Sequence, residues 1–159
     1  MNLQLLMDRL EGLEHETGCL YRTMAARLKS IDSAATELFQ RLAEEEKGHE
    51  KEVRLVRDII ANAGEGLSHT AVDPAITDRM EEQLGYIREK QSLFAAGMPD
   101  IAISQAIAMA LDIEEQLRER HTLEAVQIQE PRIQKLMQSL VQSDGAHVAL
   151  LSGWPHGDT

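Results

Sequence analysis

Six side chains of metal-ligand type are spaced so that they fall in register with apolar helical seams. They are four carboxylates and two histidines, namely Glu14, Glu46, His49, Glu114, Asp144 and His147. The steps of three or four residues mark the side that a bundled helix turns to its partners. A carboxylate on that side is costly unless something neutralises it. The pattern therefore predicts that these side chains bind metal.

The seams are defined by the apolar residues on either side of each predicted ligand. They read Met7, Leu10, Glu14, Thr17, Tyr21; then Phe39, Leu42, Glu46, His49, Val53; then Ile107, Ala110, Glu114, Leu117, His121; and finally Met137, Leu140, Asp144, His147, Leu151. Glu46 and His49 continue the core spacing set by Leu42, whereas Glu44 and Glu45 fall off it and are expected on a solvated face. Four such coincidences favour a metal site over the alternative of satisfied polar groups in a structural core.

The sequences Glu46-x-x-His49 and Asp144-x-x-His147 each place a carboxylate and an imidazole one helical turn apart, so that both can reach one ion. Carboxylates with a minority of histidines suit iron or manganese in a bundle core. Di-iron bundles take one Glu from each of two helices and Glu-x-x-His from each of the other two. The chain supplies this set with one departure, because an aspartate stands where the fourth glutamate is expected.

Three further polar residues share these seams. Tyr21 lies two turns after Glu14 and is a candidate catalytic group that hydrogen-bonds and orients a ligand on a facing helix. Packing with a satisfied hydroxyl is the alternative for this tyrosine. His121 and Glu124 lie beyond Glu114, and we expect them to form a structural polar pair rather than to approach the metal.

Composition limits the class of protein. The 159 residues are 43% hydrophobic but only 3% aromatic, which favours helix over strand. The net charge of −11 argues against nucleic-acid binding. The single cysteine, Cys19, excludes an intrachain disulfide and a cysteine-rich metal site. With an acidic amphipathic start and no apolar run of membrane-spanning length, we expect a cytoplasmic protein with no signal peptide and no membrane association.

The helical pattern predicts an all-α chain. The predicted helices cover about 2–30, 33–62, 73–96, 100–129 and 131–152, with glycine-rich or proline-containing breaks near 63–66 and 97–100. The first two and the last two form hairpins, and the third is a crossover. We therefore expect one domain over 1–152, an antiparallel four-helix bundle with an additional helical crossover, followed by a tail over 153–159.

At these residues the chain resembles the rubrerythrin-like branch of the ferritin-like superfamily. The resemblance lies in Glu14 with Tyr21 seven residues later, in the segment Ala-Glu-Glu-Glu-Lys-Gly-His over 43–49, in Glu114 with His121, and in Asp-Gly-Ala-His over 144–147. It covers nearly the whole chain and implies a ferritin-like fold that binds two irons. It also implies that Glu46 and Asp144 are the bridging candidates, with Glu14 and Glu114 terminal.

The resemblance has departures as well. Rubrerythrin proper carries a rubredoxin-type domain with four cysteines, so with one cysteine this chain needs an external electron donor, rubredoxin-like or another reductant. Some family members carry a further glutamate one turn after the ligand of the fourth predicted helix, where this chain has Leu117. Family members assemble through helix faces, so we expect a homodimer or higher homo-oligomer, with the crossover helix as a contact surface.

Three functions follow as hypotheses. The first is a non-haem di-iron protein, with manganese as the alternative metal, that acts as a peroxidase or ferroxidase on peroxide or dioxygen in oxidative-stress defence or iron handling. The second is an iron-storage or iron-delivery protein without catalytic turnover. The third is a metal-free helical interaction module. The sequence does not distinguish iron from manganese, because both accept this ligand set.

Overall fold

The computed structural model describes residues 2–64, 71–97 and 102–155. Within these ranges it is a bundle of five α-helices without strands: α1 (Leu3–Leu28), α2 (Ser33–Asn62), α3 (Pro74–Ala95), α4 (Ile103–Gln127) and α5 (Pro131–Ser152). The all-α prediction is confirmed. Most of the predicted break near 97–100, the start of the fourth predicted helix and most of the tail lie outside the described residues, as does part of the break near 63–66. In the described ranges, no helix is both long and apolar enough to cross a membrane.

The helix starts follow from local capping chemistry. Asp32 accepts a hydrogen bond from the Ala35 amide at 2.8 Å, and Asp73 caps α3 just before a proline in the first turn.

Helix α4 ends at Gln127, two residues before the predicted end. The residue before a proline is restricted to extended conformations. Glu130 is extended and its carboxylate caps α5, so the chain has to leave the helix earlier.

The helices pack in an order that the chain connections explain. Helix α1 packs along α2, α4 packs along α5, α2 also meets α5, and α3 packs on α1. The contacts of Glu11 with Arg54 and of Tyr21 with Phe39 run in opposite directions along α1 and α2, so this pair is antiparallel. Most large apolar residues of α3 belong to the chain's own core, so a contact between copies through α3 would have to use its polar side and the exposed Leu93.

Two apolar clusters form the core. One includes Leu13, Leu20, Tyr21, Met24, Phe39, Leu42, Ile107, Ile113 and Leu117, and the other includes Leu3, Leu6, Met7, Leu10, Val53, Ile60, Ile133, Met137 and Leu140. Buried carboxylates and histidines lie near the junction of the two clusters, although Glu114 falls between Ile113 and Leu117 of the first cluster. The apolar halves therefore close both ends of a polar layer in the middle of the bundle.

Gly18 lets α1 and α2 approach each other beside this polar layer. A methyl group at Gly18 would lie 3.2 Å from the buried Glu46 Cβ, whereas one at Gly12 in the same helix would meet no described atom within 4 Å. Overpacking by Gly18→Ala should cost about 1–3 kcal/mol, and the gain in helix propensity offsets about 1 kcal/mol of it, so the free energy of unfolding should fall by up to about 2 kcal/mol. The matched Gly12→Ala should raise it by about 1 kcal/mol through helix propensity. Urea unfolding of both variants measures the difference, and equal stabilisation would show that α1 and α2 separate freely.

Candidate metal centre

Four helices carry the predicted ligands into one buried layer. Helix α1 carries Glu14, α2 carries Glu46 and His49, α4 carries Glu114, and α5 carries Asp144 and His147. Each of the four carboxylates is at most 1% exposed, so bulk water solvates none of them. The seam spacing therefore identified side chains that the fold buries.

Five of these six side chains form two overlapping groups in which the possible ligand atoms lie within 4.8 Å of one another. The Glu14 group contains Glu14, Glu46 and His49, and the Glu114 group contains Glu46, Glu114 and His147. Glu46 belongs to both. Its Oε2 lies 3.2 Å from His49 Nδ1 and its Oε1 lies 3.2 Å from His147 Nδ1. One carboxylate that directs its two oxygens to two ligand groups has the arrangement of a metal bridge.

The buried oxygens of this layer fit a cation. Both oxygens of Glu14 and Oε1 of Glu46 accept no hydrogen bond from the described residues. Leaving buried polar atoms unsatisfied costs free energy, and more when the group is charged. Hard cations such as Fe²⁺ and Mn²⁺ take carboxylate oxygens and imidazole nitrogens as ligands. The donor set and its unsatisfied oxygens therefore suit divalent metal ions.

Asp144 lies in the same layer but outside both groups. Its Oδ2 is 2.8 Å from His121 Nδ1, and its Oδ1 has no hydrogen-bond partner among the described residues. An aspartate is one methylene shorter than the glutamate expected here, and His121 already occupies one of its oxygens. The bridging role of Asp144 stays a prediction.

The predicted pair of His121 with Glu124 is wrong. His121 bonds Asp144 instead, and its Nε2 lies 3.5 Å from Glu14 Oε1. Glu124 pairs with the guanidinium of Arg120, with Nε and Oε1 at 3.3 Å. Both acidic partners of His121 come from other helices, so the spacing along α4 could not reveal them. The signal available was that His121 follows Glu114 by seven residues, as Tyr21 follows Glu14.

Tyr21 makes the hydrogen bond that was one of its two predicted roles. Its hydroxyl donates to Glu114 Oε1 at 2.6 Å, across the bundle from α1 to α4. Burial raises the pKa of Tyr21 well above its usual value, and the negative charge of Glu114 adds to the effect. The hydroxyl therefore keeps its proton and fixes one oxygen of a predicted ligand.

The outer nitrogen of each histidine contacts a residue on the facing helix, and that residue comes directly before a predicted ligand of that helix. His49 Nε2 lies 2.7 Å from Ser143 Oγ, and His147 Nε2 lies 2.7 Å from Glu45 Oε2. The expectation that Glu45 is a solvated surface residue is therefore wrong, since its half-buried carboxylate holds an imidazole. Such outer partners orient a metal-binding histidine and raise its basicity.

The charges of the layer compensate one another without metal. Burial opposes protonation of both histidines, but the facing carboxylates outweigh it and raise the pKa of His49 and of His147 to about 11. Burial, together with the charge of Glu46, raises the pKa of Glu114 to about 7. Burial would raise the pKa of Glu14, but the imidazoles of His121 and His49, 3.5 and 3.4 Å from its oxygens, lower it well below its usual value. Burial also opposes protonation of His121, but Asp144 and Glu14 raise its pKa to about 9, so three imidazolium groups face the carboxylates at neutral pH.

Metal binding at pH 8 should release about two protons per chain. His49 and His147, with a pKa of about 11, carry protons at this pH and must lose them to coordinate an ion. Calorimetric titration with Mn²⁺ in two buffers of different ionisation enthalpy measures the number of protons released. Binding that releases none would mean that the histidines are not ligands.

Comparisons of the chain with protein-family models, with curated proteins and with solved structures find no match. The chemistry of the site therefore has to be inferred from the described side chains themselves. Their decisive feature is the pair of carboxylate–histidine groups that share Glu46 in a buried layer.

Proposed function

We propose that the chain is a dinuclear metal protein of the rubrerythrin-like kind, with a ferritin-like bundle formed by α1, α2, α4 and α5 and crossed over by α3. Two irons, or two manganese ions, would be held by Glu14, Glu46, His49, Glu114 and His147. The observation that supports this proposal best is that Glu46 belongs to both ligand groups, with a different oxygen in each.

Bound in this way, two ferrous ions would supply one electron each to peroxide or dioxygen. The chain's own residues contribute binding, burial and proton placement. The Tyr21 hydroxyl keeps its proton and donates it in a hydrogen bond to Glu114 Oε1, with 2.6 Å between the two oxygens. The apolar clusters at both ends of the layer restrict the access of bulk water.

The proposal requires an external electron donor for turnover. A rubredoxin-type iron site needs four cysteines, and the 159 residues contain only Cys19. A rubredoxin-like protein or another reductant would have to deliver electrons to the surface of the bundle. The short route for electrons from the surface to the proposed site runs through the face between α2 and α5. The outer nitrogens of His49 and His147 contact half-buried partners at this face.

Metal content and an anaerobic ferrous titration test the proposal. We expect about two irons per chain in the described ligand set, followed by rapid oxidation when peroxide or dioxygen is added. Consumption of peroxide with an added reductant would identify a peroxidase. Oxidation of many irons per chain with mineral formation would instead identify a storage protein. A chain that binds no iron or manganese would contradict the proposal.

A further inference from the structure

The two ligand groups share Glu46 but differ in the side chains that hold them from outside. We propose that the two metal positions are unequal, that the Glu114 group takes its ion first and more tightly, and that Glu45 is the positioning residue that sets this order. The inference rests on the proposed dinuclear site and adds to it an assignment of which position fills first. Three independent contrasts between the groups support it.

The first contrast is between the outer partners of the two histidines. Both outer contacts measure 2.7 Å, so the distances are equal while the chemistry differs. His147 faces the carboxylate of Glu45, and His49 faces the neutral hydroxyl of Ser143. A carboxylate that accepts the outer N–H makes the imidazole a stronger ligand, and loss of such a partner typically costs 10–100-fold in metal affinity. Arg41 fixes the same carboxylate at 2.7 Å, so Glu45 is held in place.

The second contrast concerns the terminal carboxylates. Tyr21 donates to one oxygen of Glu114 at 2.6 Å and leaves the other, Oε2, 3.1 Å from His147 Nδ1. Glu14 is held more loosely, because its oxygens accept no hydrogen bond from a described residue and face the nitrogens of His121 and His49 only at 3.5 and 3.4 Å. A ligand that is already oriented loses less conformational entropy when it binds an ion. The Glu114 group is therefore the better prepared of the two.

The third contrast is electrostatic. Glu114 lies beside the neutral Tyr21, whereas Glu14 lies beside His121. The Nε2 of His121 is in turn 3.3 Å from a guanidinium nitrogen of Arg120. Arg120 is only 5% exposed, so solvent screens its charge weakly. Glu124 pairs with Arg120 and offsets its charge in part. Arg120 also interacts with Glu14, so its permanent charge acts against a cation at the Glu14 group.

A titration of the metal-free full chain with Mn²⁺ tests the order of filling. Calorimetry measures the binding steps, and electron paramagnetic resonance records the state of the bound Mn²⁺. We expect two resolved steps, with the spectrum of an isolated Mn²⁺ after the first equivalent and that of a coupled pair after the second. Glu14→Ala should keep the first step, whereas Glu114→Ala should lose it. Glu45→Gln keeps the shape of the side chain and removes its charge, so it should weaken the first step by about 10–100-fold.

Ser143→Ala and Glu44→Gln serve as matched variants. Ser143→Ala should weaken only the second step, and Glu44→Gln should change neither, since Glu44 is exposed on the same helix as Glu45. Two equal steps in the native chain, or a first step that Glu45→Gln leaves unchanged, would overturn the inference while the dinuclear site stands. Absence of any Mn²⁺ binding would overturn the dinuclear site itself.

Discussion

Replacing Glu46 with alanine should reduce metal binding from about two ions per chain to none. Glu46 supplies one oxygen to each ligand group, so its loss leaves one carboxylate and one histidine for each ion. Two protein ligands are too few to hold a resident ion tightly, since catalytic zinc sites, for comparison, keep three protein ligands. Equilibrium dialysis against Fe²⁺ or Mn²⁺ under anaerobic conditions, with metal analysis of the retained protein, measures the change.

Glu44→Ala is the matched control for this substitution. Glu44 lies on α2 two residues before Glu46, is exposed, and contacts Lys47 at 3.7 Å. It should therefore leave the stoichiometry at about two. If Glu46→Ala retained one ion, the carboxylate would belong to a single position. Retention of both ions would show that the seam carboxylates are not the ligands.

The sequence was sufficient to predict the helices and the burial of the predicted ligands, because one physical requirement determines both. A helix in a bundle buries the residues that recur every three or four positions, so the seam carrying Glu46 and His49 had to face inward. The same rule separated Glu46 from Glu44, which is exposed. Capping chemistry placed the starts of α2 and α3, since Asp32 and Asp73 cap as their positions predict.

The contacts around the ligands could not be predicted in the same way. The bonds of His147 to Glu45 and of His121 to Asp144 join helices whose relative rotation and depth are set by packing across the whole bundle. A shift of one residue along α5 would turn its side chains by about 100° and remove both contacts. Spacing along one helix carries no information about such a shift, so the seam pattern paired His121 with Glu124 and left Glu45 in solvent.

The metal-free charge balance explains why the layer can be buried at all. His49 and His147 are held protonated by the carboxylates that surround them, with a pKa raised to about 11 against the opposing effect of burial. In the metal-free chain these two imidazolium groups balance part of the carboxylate charge, and two divalent ions would replace them with more positive charge. Metal binding is then an exchange of protons for metal ions, and its strength depends on pH.

Removing the metal should lower the melting temperature by about 10–20 °C at pH 8. An ion present at a hundredfold excess over its dissociation constant stabilises the folded state by about 2.7 kcal/mol, and two independent ions by about twice that. For a chain of this size, each kcal/mol shifts the melting temperature by about 2–4 °C. Scanning calorimetry with Mn²⁺ and with a chelator measures the difference, and Glu46→Ala, which should bind no metal, should respond to neither.

The difference in melting temperature between the metal-bound and the metal-free chain should be smaller at pH 6 than at pH 8. The folded-state pKa of His49 and of His147, about 11, lies above the unfolded value of 6.5. Their protonation therefore stabilises the metal-free fold fully below pH 6.5, and this contribution is lost as the pH rises through 11. Glu114, with a pKa raised to about 7, contributes in the same direction between pH 4.5 and 7. Protons also compete more weakly with metal at pH 8, so both effects widen the gap. A melting temperature that ignores metal and chelator at both pH values would instead identify a bundle whose buried carboxylates serve only its structure.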